Sequence, residues 1–121
     1  MGKMNMIDLS VFNDLTGMDL GAMADKPTAL QPNQTEASTN LWASPDGRLN
    51  IGVWECTPGR FTADRAENAE FCFILEGKAV MTQNDGTRRE LTAGDALMLP
   101  QGWKGEWEIA EHLRKIYLIY G

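Results

Sequence analysis

A chain of 121 residues with 43% hydrophobic content has the length of one domain and enough apolar side chain to close one core. Its formal net charge of −6 opposes the phosphate-neutralising surface that nucleic-acid binding needs, and gives an anionic membrane nothing to attract. The longest apolar runs, such as Ala96 to Leu99 and Ile116 to Tyr120, fall far short of the roughly 20 residues that span a bilayer, and Asp8, Ser10, Asn13 and Asp14 interrupt any secretory signal, so a cytoplasmic address is expected.

Residues 1–38 read as a polar leader with scattered hydrophobes. Within it, Leu15 to Leu20 predicts one short helical turn, and Pro27, Pro32 and Gln31 to Thr35 predict an extended connector without regular structure. From 39 to 121 the pattern changes to short apolar runs split by turn residues, the signal of an all-β sandwich or barrel. Leu49 to Thr57 predicts a strand that Pro58-Gly59 stops, and Phe71 to Glu76 predicts another that Gly77 ends. Ala79 to Thr82 and Thr87 to Thr92 flank Asn84-Asp85-Gly86, whose residues accept the positive φ angles of a tight hairpin. Ala96 to Leu99, Gly105 to Ile109 and Leu113 to Tyr120 complete the expected strands. The two cysteines, Cys56 and Cys72, sit inside apolar runs and read as buried free thiols.

Side chains alternate along a strand, so Glu70, Cys72 and Ile74 share one face while Phe71, Phe73 and Leu75 share the other. If the Glu70 face lines a cavity, the opposite face is an outward apolar stripe. A homodimer is the expected cover, with the leader as the other candidate.

The segments Gly52-Val53-Trp54-Glu55, Pro58-Gly59-Arg60-Phe61, Glu70 to Gly77, Gly94-Asp95, Pro100-Gln101-Gly102-Trp103, Gly105-Glu106-Trp107 and Arg114-Lys115 come in a specific order and spacing. Together they resemble the cupin superfamily, and within it the short single-domain cupins related to ureidoglycine aminohydrolase and the ethanolamine-utilisation Q protein. That resemblance implies a double-stranded β-helix, or jelly-roll barrel, behind a largely irregular N-terminal segment. It also implies a metal held by three histidines and a glutamate. Glu70 and Gly77 fit the second half of the family's first motif, but its histidine slots fall on Asp64 and Ala66, or on Ala63 and Arg65 with the longer spacer. The third histidine slot falls on Gly105. Borderline metals are normally held by imidazole or thiolate ligands, so neither a metal site nor any other cofactor is expected here.

What remains is a carboxylate, Glu70, facing into an apolar barrel, where it needs a cation: Arg65, Arg60 or Lys115. Glu70 is thus the candidate catalytic residue, as a substrate-binding group or general base. Candidate ligand-binding residues are its neighbours Asp64, Arg65 and Cys72, the aromatic walls Trp54, Trp103 and Trp107, and Lys115 with Tyr117 on one face of the last strand. Glycine at 105 predicts open room where an imidazole would stand. The only histidine, His112, reads as a surface residue. The expected function is metal-independent binding, or conversion, of a small polar metabolite such as a carboxylate or ureido compound. The alternatives are a metal-dependent enzyme resembling ureidoglycine aminohydrolase and a non-catalytic dimeric interaction module.

Overall fold

The computed structural model describes residues 6–121, in eight strands. These are β1 (Ala24–Asp25), β2 (Thr35–Ala43), β3 (Leu49–Cys56), β4 (Gly59–Asp64), β5 (Ala69–Gln83), β6 (Arg88–Thr92), β7 (Ala96–Leu99) and β8 (Lys104–Tyr120). All pairings are antiparallel, in the order β1-β2-β3-β8-β5-β6, with β4 on β8 and β7 on β5. No helix among the described residues is long and apolar enough to cross a membrane.

Two long strands organise this double-stranded β-helix. β8 pairs with β4 through Lys104–Ile109 and with β3 through Leu113–Tyr120, while β5 lies beside it throughout. β5 likewise gives its first half to β7 and its second half to β6. The halves change partners where the β5–β8 register slips, between Ile74 and Ala79, since bulges bend strands and re-aim their side chains. Gly77, at φ 94°, sits in this bend and does not end the strand. For the same reason the two expected strands 105–109 and 113–120 are one.

The Asn84-Asp85-Gly86 hairpin forms as expected, pairing Thr82 with Arg88. Strands β1 and β4 lie outside the expected set, as does the part of β2 within the leader. β4 begins at Gly59 itself, where a stop was expected, because Arg60 to Ala63 alternate outward and inward. Leu15 to Leu20 forms a turn and not a helix, and the connector ends in β2 at Thr35.

The larger core packs Cys56, Phe61, Cys72, Ile74, Met81, Leu91, Trp107, Ile109 and Leu113. A smaller one joins Leu20, with Leu15 and Met18 of the leader, to Ala37, Val53 and Leu75. Arg114, itself buried, fastens this cover: its Nη1 donates to the carbonyls of Leu15 (2.9 Å) and Met18 (2.7 Å), and its Nη2 to Glu55 (3.2 Å). His112 reaches the other Glu55 oxygen at 2.8 Å. The leader therefore covers Leu75 of the predicted stripe, but Phe71 and Phe73 remain 40% and 36% exposed.

Candidate functional site

The inner face of the barrel is set by register. Ser38, Trp54 and Lys115 form one row across β2, β3 and β8, and Asn40, Gly52 and Tyr117 form the next. Glu70 lies opposite Ile119 one row further on. Together with Phe61, Ala63 and Arg65 of β4 and its extension, these residues line a cavity of about 610 Å³.

Glu70 is 7% exposed and holds two cations, Lys115 Nζ on Oε2 at 3.1 Å and Arg65 Nη1 on Oε1 at 3.3 Å. Arg60, the third candidate partner, pairs instead with Glu106. Burial alone would raise the Glu70 pKa, but Lys115 and Arg65 outweigh it and hold the carboxyl below its usual range. Burial likewise works against the Lys115 ammonium, yet the neighbouring Cys72 sulfur and Glu70 carboxylate more than offset it and hold its pKa above the ordinary lysine value. Lys115 also lies against two indoles, 4.6 Å from the Trp54 ring centre and 4.3 Å from that of Trp107. Cation–π attraction is strongest when the ammonium is desolvated, as here, where Lys115 is 6% exposed. Phe61 completes the wall, stacked on Trp107 at 6.0 Å and edge-on to Trp54 at 5.8 Å.

Glycine at 52 lets Tyr117 lie across β3, because a Cβ there would collide with its ring. The Tyr117 hydroxyl donates to Asn40 Oδ1 at 3.2 Å, and burial followed by the Glu70 charge raises its pKa, so it stays protonated.

Seven of the nine sequence-predicted residues therefore line this cavity: Glu70, Asp64, Arg65, Trp54, Trp107, Lys115 and Tyr117. Asp64 reaches only the rim, 55% exposed and 3.9 Å from Lys104, because the alternation of β4 turns Ala63 and Arg65 inward; the longer-spacer register is the one that forms. Cys72 does not line the cavity. It is fully buried beneath the Glu70–Lys115 pair, and burial pushes its thiol up to about 12. Trp103 is also elsewhere, beside a separate hollow of about 310 Å³, with its Nε1 donating to Gln83 at 3.1 Å. Its indole fills the space expected to be open at Gly105, where a Cβ would stand 2.5 Å from the ring.

The residues that sequence reasoning missed include Phe61, Ser38, Asn40, Asn50 and the leader's Lys26 and Thr28. Phe61 was legible from its even spacing to Ala63 and Arg65. Nothing local marks Lys26, because it reaches the cavity through a strap. Leu30 N donates to Arg60 O and Thr62 N to Thr28 O, so residues 28–30 run along the free edge of β4.

The donor set does not suit the metal of histidine-bearing relatives. Both Glu70 oxygens face cations, Arg65 stands in one inward slot, and no three of His, Cys, Asp or Glu gather as a possible metal site among the described residues. A divalent ion here would meet an ammonium and a guanidinium and no nitrogen or sulfur ligand able to bind it.

No curated protein matches the sequence. Among solved structures, a protein of unknown function in the DUF861 family from Pseudomonas syringae is 25% identical, with a TM-score of 0.70 over 82% of this chain and 42% of that one. EutQ from Clostridium difficile shares the fold at 20% identity, with a TM-score of 0.64 over 74% of this chain and 65% of that one. A DUF861 family protein from Thermotoga maritima is 34% identical over 54% of this chain and 73% of its own, with a TM-score of 0.51. The chain thus spans less than half of the Pseudomonas protein and just under two thirds of EutQ. Residues 43–117 match the EutQ-like cupin domain, a stretch that holds both long strands' inner faces, Glu70 and Lys115 included, and the chain belongs to that family.

Proposed function

We propose that this protein is a metal-independent cupin that binds a small polar anion, a carboxylate or ureido acid, in the cavity beside Glu70. The observation that carries this reading is the charge on the cavity floor. Arg65 and Lys115 bring two positive charges to the single negative charge of Glu70, and the buried Arg65 Nε has no hydrogen-bond partner. An unpaired buried donor is costly alone, and the Arg65 side chain, 22% exposed, still presents guanidinium charge that a carboxylate can meet. The neutral groups of Ser38, Asn40 and Asn50 would meet the polar remainder of such a ligand. Binding suits Glu70 better than proton transfer, since a carboxylate held below its usual pKa by two cations is a weak base.

The test is calorimetric titration of wild type and Arg65→Gln with a panel of small carboxylates and ureido acids, with and without chelator. At least one compound should bind wild type in both conditions, and Arg65→Gln should weaken it by about ten- to a hundredfold, as expected for a charge-assisted hydrogen bond. No binding across the panel, or binding that the chelator abolishes, overturns the proposal.

The exposed stripe supports a second reading, a homodimer. Phe71 is the register partner of Met98, itself 56% exposed, and Phe73 lies two residues along the same outer face, uncovered by the leader. A two-fold axis would lay this patch against its own copy. Light scattering should give twice the chain mass for wild type and the chain mass for Phe73→Asp; an unaltered mass in Phe73→Asp would remove the patch from the interface.

A further inference from the structure

A second charged cluster, of opposite polarity, lies against the Trp54 and Phe61 wall of the cavity. Glu36 on β2, Trp54 on β3 and Phe61 on β4 converge there on one point, now held by the Lys26 ammonium. Lys26 Nζ is 2.8 Å from Glu36 Oε1, 4.2 Å from the Phe61 ring centre and 5.5 Å from that of Trp54. Two aromatic faces meeting at 63° with a carboxylate beside them are the components with which proteins hold organic cations.

The three receptor groups belong to the barrel, whereas the cation comes from the leader. Glu36 does not depend on Lys26 for its position, because Trp54 Nε1 donates to the same oxygen at 2.8 Å. The strap that delivers Lys26 is itself anchored, by residues 28–30 on β4 and by Gln31 Oε1 accepting from Arg60 N at 2.8 Å, so what the site holds of it is the Lys26 side chain alone. Its strand β1 has two residues, both exposed, and Lys26 N bonds back to Gln34 O within the leader itself. Taking Lys26 away would leave a carboxylate and two ring faces without their cation, beside the wall of an existing cavity.

We infer that Glu36, Trp54 and Phe61 form a binding site for a small organic ammonium, and that Lys26 occupies it in cis as a competing plug. The site adjoins the anion-binding floor and shares the Trp54 and Phe61 wall with it, but has its own carboxylate. Lys115 and Arg65 lie against Glu70, and neither makes an ion pair with Glu36. A ligand entering the ammonium site displaces the Lys26 side chain, while residues 28–30 stay bonded along β4. The leader then supplies a side-chain plug to the cavity as well as a cover for the sheet.

Tetramethylammonium chloride, titrated against a sodium chloride control, is a suitable probe, read by calorimetry and by the fluorescence of the lining tryptophans. Lys26→Ala, and Lys26→Met, which keeps the aliphatic stem over Phe61, should bind it at least tenfold more tightly than wild type. Adding Glu36→Gln to either should abolish that gain, while Arg65→Gln should leave it unchanged, so failure of the anion reading and failure of this one are distinguishable. If both Lys26 variants are folded by circular dichroism and bind the probe no better than wild type, there is no plugged site. If the gain survives Glu36→Gln, the carboxylate is not part of the site.

Discussion

Lys115→Met should destabilise the fold by about 3–5 kcal/mol, measured by urea unfolding at neutral pH, as breaking a buried ion pair from one side does. Lys115 is 6% exposed, and Glu70, 7% exposed, would keep only Arg65, its longer contact at 3.3 Å. The methionine would still fill the space between Trp54 and Trp107, so most of the loss would be electrostatic. Adding Glu70→Gln should restore at least half of it, because the uncompensated charge is then gone. Equal stabilities for the single and double variants would mean that Lys115 contributes by packing alone. Comparing wild type with Glu70→Gln/Lys115→Met across pH adds a second check. The folded pKa of Glu70 lies below its ordinary value of 4.5, so its contribution is complete above that value and fades as pH falls through the folded one. That of Lys115 lies above 10.5, so its contribution is complete below 10.5 and fades as pH rises through the folded one. The wild-type advantage should therefore be a plateau between these limits.

The pairing of Glu70 with cations was legible because burying a lone carboxylate is so costly that the chain had to supply a partner. Which cation was not legible, since Arg60, Arg65 and Lys115 differ only in where strands from distant parts of the sequence carry them. Alternation placed Glu70, Cys72 and Ile74 inside and Phe71 and Phe73 outside, and these positions hold. It failed to separate cavity lining from core: Cys72 lies on the inner face yet beneath the cavity, and Trp103 packs into the hollow beside Gly105. Period alone says which face a residue takes and not how deep the cavity runs. The leader was the least legible part. Its contribution, Lys26 over Phe61 and the carbonyls that Arg114 holds, rests on contacts across more than thirty positions that no local pattern encodes.

Gly77 shows the same limit from the other side, and it carries the second large effect. In sequence it reads as a stop; in the fold it is the point where two residues of β8, His112 and Leu113, pass one residue of β5. Gly77→Ala would place a Cβ against the His112 carbonyl and 2.8 Å from the Leu113 Cα, both backbone atoms that cannot swing aside. The φ of 94° adds strain of roughly 1–2 kcal/mol for any L side chain. Gly94 provides the matched control, since its φ of 95° is nearly the same but nothing lies within 4 Å of its Cβ position. Gly94→Ala should therefore cost only the backbone strain, while Gly77→Ala should cost at least about 2 kcal/mol more, the scale of overpacking a filled interior. Glu76 pairs with Arg114 beside this crossing, and Arg114 holds the leader, so Gly77→Ala should also raise protease cleavage within residues 6–20. Equal losses in the two alanine variants would show that the β5–β8 crossing tolerates a side chain and that the bend is set elsewhere.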